Sequence, residues 1–153
     1  MNEVGTDDLR PHEQAVVPPQ GFDAQLWFIG RIRTPWTRRG DCPHRGDAAD
    51  GPDCRIELFE PWVPGLTGIE AHANLQILYW MDRARRDLVL QNPKFGERAT
   101  GTFALRSPVR PNPIASSVVR LLAVEGPVLI VRGLDCLDGT PLLDIKAAFG
   151  AMA

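Results

Sequence analysis

The sequence predicts an all-β fold, a small barrel or sandwich with at most one short helix. Six or seven short runs rich in β-branched and aromatic residues follow one another at close spacing. Fourteen glycines and fourteen prolines punctuate a chain of 153 residues, and they fall between those runs. The strand–helix alternation of a doubly wound sheet is missing, and no Gly-x-Gly-x-x-Gly follows the first strand, so a Rossmann-type cofactor site is unsupported.

Residues 1–22 read as a flexible arm, because Pro11, Pro18, Pro19 and Gly21 interrupt it and acidic residues keep it solvated. Residues 23–150 read as one domain, and a chain of this size buries a core without staples. Gln25 to Arg33 reads as the first strand and stops at Thr34-Pro35. A long polar loop, 37–53, follows. Loops of that length inside a compact domain are usually functional or disordered. Cys54 to Phe59 alternates, with Ile56 and Leu58 set against Arg55 and Glu57, as in a half-buried strand. Pro61 to Gly68 is a turn region, and Leu75 to Met81 a buried strand. Asp82 to Leu90 is ambiguous between strand and helix. Gly101 to Leu105 reads as a short strand, Ser117 to Val124 and Pro127 to Gly133 as a hairpin around Glu125-Gly126, and Leu142 to Lys146 as the last strand.

Apolar residues make up 44% of the chain, and no run of about 18 of them exists to span a membrane. The N-terminus lacks the basic start and apolar stretch of a signal peptide, so a cytoplasmic protein is expected. Cys42, Cys54 and Cys136 are an odd number without a repeated spacing. They read as reduced thiols rather than a disulfide framework, and Cys42-x-His44 with Cys54 matches no zinc pattern, so no metal is expected. The net charge of −2 alone argues against nucleic-acid binding. Its distribution is uneven: Glu3, Asp7, Asp8, Glu13 and Asp23 face only Arg10 within the first 25 residues, leaving the remainder net positive. Arginine outnumbers lysine fifteen to two, which supplies planar forks for phosphate or carboxylate. Trp27, Trp62 and Trp80 sit near predicted strands and read as core or dimer contacts rather than base-stacking platforms.

Two segments are too specific for ordinary loops. In Arg106-Ser-Pro-Val-Arg-Pro-Asn-Pro-Ile114 three prolines forbid a helix interior or a central strand, and a loop so stiffened holds Arg106, Arg110 and Asn112 in set positions. In Leu134-Asp-Cys-Leu-Asp-Gly-Thr-Pro-Leu-Leu-Asp-Ile-Lys146 the core Asp138-Gly139-Thr140-Pro141 is a tight turn. Asp144 and Lys146, two apart on a strand, share a face.

These segments resemble the RSxxRPNPIG and LDxxDGTPxxDIKPY signatures of the TrmO/YaeB (TsaA-like) family. Ile29 to Pro35 resembles its opening IGxIxSP strand, and Gly68-Ile69-Glu70 its GLE. The likeness runs from about Phe28 to Lys146. It implies a β-barrel S-adenosylmethionine-dependent methyltransferase that acts as a homodimer on N6 of threonylcarbamoyladenosine in the anticodon region of tRNA, in the form without a C-terminal domain. It also implies cofactor contacts at Pro43, His44, Arg45, Asp82, Arg83, Arg106, Ser116, Asp138, Gly139, Thr140 and Pro141. Methyl transfer to nitrogen requires a proton acceptor, for which Asp144 or Asp138 is expected, with Arg110 and Asn112 orienting the nucleotide. The chain departs from the family pattern in four places. Pro-Arg-Gln becomes Pro43-His44-Arg45, the Gly after the proline loop becomes Ala115, Ser-His becomes Ala73-Asn74, and Lys-Pro-Tyr becomes Lys146-Ala147-Ala148. The alternative is a non-catalytic S-adenosylmethionine-binding or regulatory module.

Overall fold

In a computed structural model, residues 8–149 are described. They form two compact units, one from residues up to Gln25 together with Arg83–Pro113, the other from Leu26–Asp82 and the chain from Ile114 onward.

The larger unit is a closed six-stranded barrel. Its strands are β2 (Gly30–Arg33), β3 (Asp53–Leu58), β4 (Asn74–Trp80), β7 (Ile114–Glu125), β8 (Val128–Arg132) and β9 (Thr140–Ala147). Around the barrel the order is β2-β3-β8-β7-β4-β9, and β9 closes it on β2 through Gly30↔Leu142 and Ile32↔Thr140. Every pairing is antiparallel. Period-two alternation decides which side chains fill it. Ile32, Cys54, Ile56, Leu75, Ile77, Val119, Leu129, Val131 and Leu142 point inward and are 0–1% exposed. Complete burial of a Leu, Ile or Val side chain is worth about 1.5–3 kcal/mol each, so the sealed interior dominates this unit's stability. Gly30 passes so close to β3 that a Cβ there would lie 2.3 Å from the Glu57 carbonyl oxygen, so no other residue fits. At the β7–β8 hairpin, Gly126 takes φ +61°, the left-handed turn conformation that glycine tolerates. One irregularity recurs below: between β4 and β9 the register slips at Leu78/Tyr79, which pair with Asp144 and Leu142.

The smaller unit holds a three-stranded sheet, β1 (Gln14–Ala15), β5 (Leu88–Gln91) and β6 (Thr100–Gly101), with β5 central. Helical structure among the described residues is confined to 3-10 turns such as Val63–Leu66 and Ile69–Ala71.

The barrel expected from the resemblance is present, and three local readings differ. Within the segment read as a flexible arm, Gln14 and Ala15 pair with Leu90 and Leu88, and Glu13 binds the backbone N–H of Asn92; residues 1–7 of that arm lie outside the described residues. The first strand starts at Gly30 rather than Gln25, because Leu26, Trp27 and Phe28 have no ladder partner and stand exposed. Thr102–Ala104 is a 3-10 turn rather than strand: the buried Thr102 hydroxyl donates to the Leu88 carbonyl (2.8 Å) and accepts from Gln91 (2.9 Å), so a side chain satisfies groups that a ladder would otherwise serve.

Candidate functional site

At one end of the barrel, the turn entering β9 is held from within. The backbone N–H of Asp138 donates to the Trp36 carbonyl (2.7 Å), that of Gly139 to Ile32 (2.8 Å) and that of Thr140 to Leu137 (3.2 Å). Pro141 has no N–H. All amide protons of Asp138–Pro141 are therefore bonded inward, and what the turn can offer a ligand is oxygen. Gly139 takes φ +84°, a conformation that strains other residues. The Asp138 carboxylate accepts the Thr34 N–H (3.1 Å) and lies 3.8 Å from Arg33, yet its side chain stays 33% exposed.

The segment before the turn is anchored through the barrel wall. The Tyr79 hydroxyl donates to Asp135 (2.6 Å) and lies 2.7 Å from the Ser117 hydroxyl. Tyr79 is 2% exposed, and burial, reinforced by the Asp135 carboxylate, drives its phenol far above its ordinary pKa, so it remains a donor at all working pH. Thr34 Oγ1 donates to the Cys136 carbonyl (2.8 Å) and fixes the same segment from β2's side.

Pro43, His44 and Arg45 approach this end along the polar loop. Gly46 pins them: a Cβ on it would lie 1.7 Å from the Gly133 carbonyl oxygen, so loop and barrel strand touch backbone to backbone. His44 and Arg45 are exposed. Beyond them, Asp47 caps the N–H groups of Ala49 (3.0 Å) and Asp50 (2.9 Å), and these donors hold its carboxyl below the usual range. Asp82 directly follows β4 and is exposed, while Ser116, in β7, accepts from Gln76 (3.0 Å). The barrel thus carries Pro43–Arg45, Asp82, Ser116 and Asp138–Pro141 on loops and strand segments around the same rim. Asp144 stands elsewhere: it lines a cleft with Leu58, Trp62 and Leu75, from the other ends of β3 and β4.

Residues 31–151 match the family model of the tRNA-methyltransferase O N-terminal domain. The chain belongs to the TrmO family. It is 52% identical over 138 residues to the "Probable S-adenosyl-L-methionine-binding protein VirR" of Rhizobium radiobacter, covering 90% of this chain and 78% of that one. It is 42% identical over 118 residues to the "S-adenosyl-L-methionine-binding protein" of Archaeoglobus fulgidus, covering 77% and 84%. The crystal structure of TrmO from Pseudomonas aeruginosa superposes with a TM-score of 0.68 at 32% identity, covering 84% of this chain and 57% of that one. A second TrmO crystal structure gives 0.70 at 33%, covering 84% and 58%. This chain spans little more than half of those solved chains.

The TrmO-like arginine–proline loop belongs to the smaller unit, and there its polar groups brace the loop itself. Arg110 Nη1 donates to the carbonyls of Leu105 (3.1 Å) and Ser107 (2.9 Å). Arg86 donates to the Pro111 carbonyl (2.6 Å) and to Asn112 Oδ1 (3.3 Å). Arg110 and Asn112 thus brace this loop within its own unit. Arg83 and Arg106 are exposed in the same unit. Of the cysteines, Cys54 and Cys136 are buried in the barrel, where burial pushes the thiols up to about 11 and about 12, while Cys42 is half-buried. Motif reading missed Tyr79, Ser117 and Thr34. The available signal was that Tyr79 is the chain's sole tyrosine, on a strand whose other inward residues, Leu75 and Ile77, are aliphatic.

Proposed function

We propose that this TrmO-family chain is an S-adenosylmethionine-dependent methyltransferase that modifies N6 of threonylcarbamoyladenosine in tRNA, in the cytoplasm and as a homodimer. The observation that carries the reading is the Asp138–Pro141 turn, donor-saturated inward and oxygen-rich outward. Such a surface suits a ligand that is itself rich in donors: an ammonium, ribose hydroxyls and an adenine amino group. Asp138 and Asp82 would hold those donors, and the guanidinium group of Arg45 would meet the ligand's carboxylate. When bound, S-adenosylmethionine supplies a methyl group activated on a sulfonium.

This chain's own residues then contribute placement and proton removal. Thr34, together with Tyr79 acting through Asp135, keeps the turn from moving, and positioning supplies much of the acceleration in a group transfer. Asp138, partly exposed and standing in the turn, is the better placed of the two expected carboxylates to take the N6 proton, directly or through water. Asp144 already accepts the Ile145 N–H (2.9 Å) and pairs with Lys146 (2.9 Å) away from that turn. A homodimer is supported by the apolar residues on β7 that stay more than a third exposed, Ile114, Val118, Leu122 and Val124.

The test begins with thermal unfolding with and without S-adenosylmethionine; ligand at about 100 times its Kd adds about 2.7 kcal/mol. Methyl transfer is then assayed on tRNA carrying threonylcarbamoyladenosine. Asp138→Asn keeps an acceptor for the Thr34 N–H but removes the charge. It is expected to cut transfer by about 10²–10⁴-fold, the usual worth of a general base. Full activity in this variant would remove Asp138 from the mechanism. A thermal shift without transfer by the wild type would favour the non-catalytic reading, which the departure at His44-Arg45 supports. His44→Arg with Arg45→Gln would then be expected to restore nothing.

A further inference from the structure

The cleft containing Asp144 is a second, separate site. It encloses about 380 Å³ and is lined by Trp62, Leu66, His72, Leu75, Asp144 and Lys146 among others. Leu75 is the second residue of β4 and Asp82 lies just past its end, so the cleft and the cofactor rim are separated by about 23 Å of extended chain. The interior between them is packed solid by Ile77, Tyr79, Val119 and Leu129, all 0–2% exposed, so no ligand reaches one site through the other.

Three features of the cleft point to one kind of occupant. First, Trp27 leans on Trp62 with ring centroids 5.3 Å apart at 41°, while remaining 74% exposed. The sequence places this tryptophan among core or dimer contacts; in this chain its ring stands exposed against a second ring that is part of the cleft wall. Second, Gly65 and Gly68 leave their side of the cleft open: a Cβ on either would meet nothing within 4 Å. Third, the lining carries, besides Thr67 and His72, an ion pair of Lys146 Nζ and Asp144 Oδ2, 2.9 Å apart, with side chains 57% and 48% exposed. An aromatic wall at Trp62, extended outside the cleft by Trp27, in a cleft that also offers one donor and one acceptor fits a flat ligand whose edge carries both. An apolar peptide side chain would cover the aromatics and leave the ion pair unserved. A bare phosphate would meet Lys146 but be repelled by Asp144.

We propose that this cleft is a nucleobase subsite, in which a base stacks on the Trp27–Trp62 platform and sets its donor–acceptor edge against Asp144 and Lys146. Stacking of this kind tolerates any base, because every base has a π-face. The proposal rests on the reading above that the chain acts on RNA: a base held about 23 Å from the methyl-transfer rim would be a neighbour of the modified nucleotide rather than the nucleotide itself.

The experiment is a binding titration of full-length protein with a fluorescently labelled anticodon stem-loop RNA and, separately, with adenosine. It is run on the wild type, Trp27→Ala and Lys146→Ala, with the S-adenosylmethionine thermal shift recorded for each. Trp27 is exposed, so its removal leaves the barrel folded, and Lys146→Ala provides an independent variant. Trp27→Ala is expected to weaken RNA binding about tenfold, and Lys146→Ala by a smaller factor, with the S-adenosylmethionine shift unchanged in both. The same losses with adenosine but none with RNA would identify the source as a free nucleoside. RNA and adenosine binding equal to wild type in both variants, or no binding of either ligand by the wild type, overturns the proposal. So does a change in oligomeric mass by light scattering in Trp27→Ala with RNA binding intact, which would make the platform a contact between copies of this chain. Absence of any S-adenosylmethionine shift in the wild type, with Trp27-dependent RNA binding retained, would sink the methyltransferase reading and leave the subsite standing.

Discussion

The barrel and the smaller unit are held together by different chemistry. Among the described residues, fourteen of the fifteen buried hydrophobic side chains lie in the barrel, and only Leu88 lies in the smaller unit. Of the five buried polar residues, Asp87, Gln91, Asn92 and Thr102 lie in the smaller unit and only Thr140 in the barrel. Asn92 alone donates to the carbonyls of Pro11 (2.8 Å) and Gly96 (2.8 Å) and accepts the Gly96 N–H (2.8 Å). Gln91 bridges Thr102 (2.9 Å) and the Val109 carbonyl (2.6 Å), tying β5 to the proline loop. Apolar packing is non-directional and survives small adjustments. A buried hydrogen-bond network is directional, and one missing member leaves its partners unserved. The barrel is therefore the unit suited to carry a rigid rim, and the smaller one the unit whose order depends on a few named side chains.

The sharpest way to break this comparison is in the barrel core. Ile77→Ala, at a fully buried site, is expected to cost about 2–5 kcal/mol and to lower the thermal midpoint of the barrel. A loss below about 1 kcal/mol by chemical denaturation would mean that the interior is less tightly packed than described.

The second prediction concerns pH. Cys54 and Cys136 have folded pKa values raised to about 11 and about 12 from an ordinary 9.0, so the unfolded chain releases these protons first. Barrel stability is then complete below pH 9 and declines above it, by up to about 1.4 kcal/mol per pH unit for each thiol. Cys136→Ala should flatten that alkaline decline, and denaturant midpoints measured from pH 8 to 11 would show whether it does.

In the smaller unit, Asn92→Leu is expected to orphan its partners at about 1–3 kcal/mol. Faster amide exchange should be confined to residues 8–25 and 83–113. Exchange that rises equally in β3 and β8 would show the two units to be one cooperative body.

The smallest effect is expected at Arg85, which donates to Asp87 at 2.7 and 3.0 Å and holds that carboxyl below its usual range. The stabilisation is present above the ordinary carboxylate pKa of about 3.9 and is lost as pH falls through the lower folded value. Arg85→Gln should remove it, so that acid unfolding of the smaller unit begins at a higher pH. The two units thus fail at opposite ends of the pH scale, one through buried thiols and the other through a buried carboxylate.

The same contrast decides what could be read from the sequence. The barrel strands were legible because a sealed interior imposes alternation. Ile56 and Leu58 against Arg55 and Glu57 gave β3, and the apolar run from Leu75 gave β4. β7 was placed but shortened, since its first residues directly follow Pro113 and its outer face is itself apolar. The smaller unit was nearly illegible. Its order comes from Thr102, Gln91, Asn92 and Glu13 making side-chain bonds up to 81 residues away, and no local period records such pairings. The Asp138–Pro141 turn was legible as a turn from its residues, whereas its support by Tyr79 was not, because a lone tyrosine on a strand looks like any other core residue. The tryptophan cleft was hidden for the same reason: exposure of Trp27 follows from the absence of a strand beside residues 26–28, which is a property of topology.

The register slip between β4 and β9 has a consequence for how this strand tolerates change. Leu142 faces inward opposite Tyr79, and strict alternation from it would carry positions 144 and 146 inward as well. The extra residue resets the count, so that Ile145 packs against the core while Asp144 and Lys146 stand outside. β9 is in effect two half-strands read in different phases, with the turn of the cofactor rim written in one and the polar edge of the cleft in the other. Removing a single residue at 143 would abolish the slip, and strict alternation from Leu142 would then by itself set Ile145 inward and Asp144 and Lys146 outward, so the deletion is expected to keep its expression and solubility. The residue at 143 thus takes up the slip, and it is the composition of positions 142, 144, 145 and 146, rather than the length of the strand, that decides which side chains face the core.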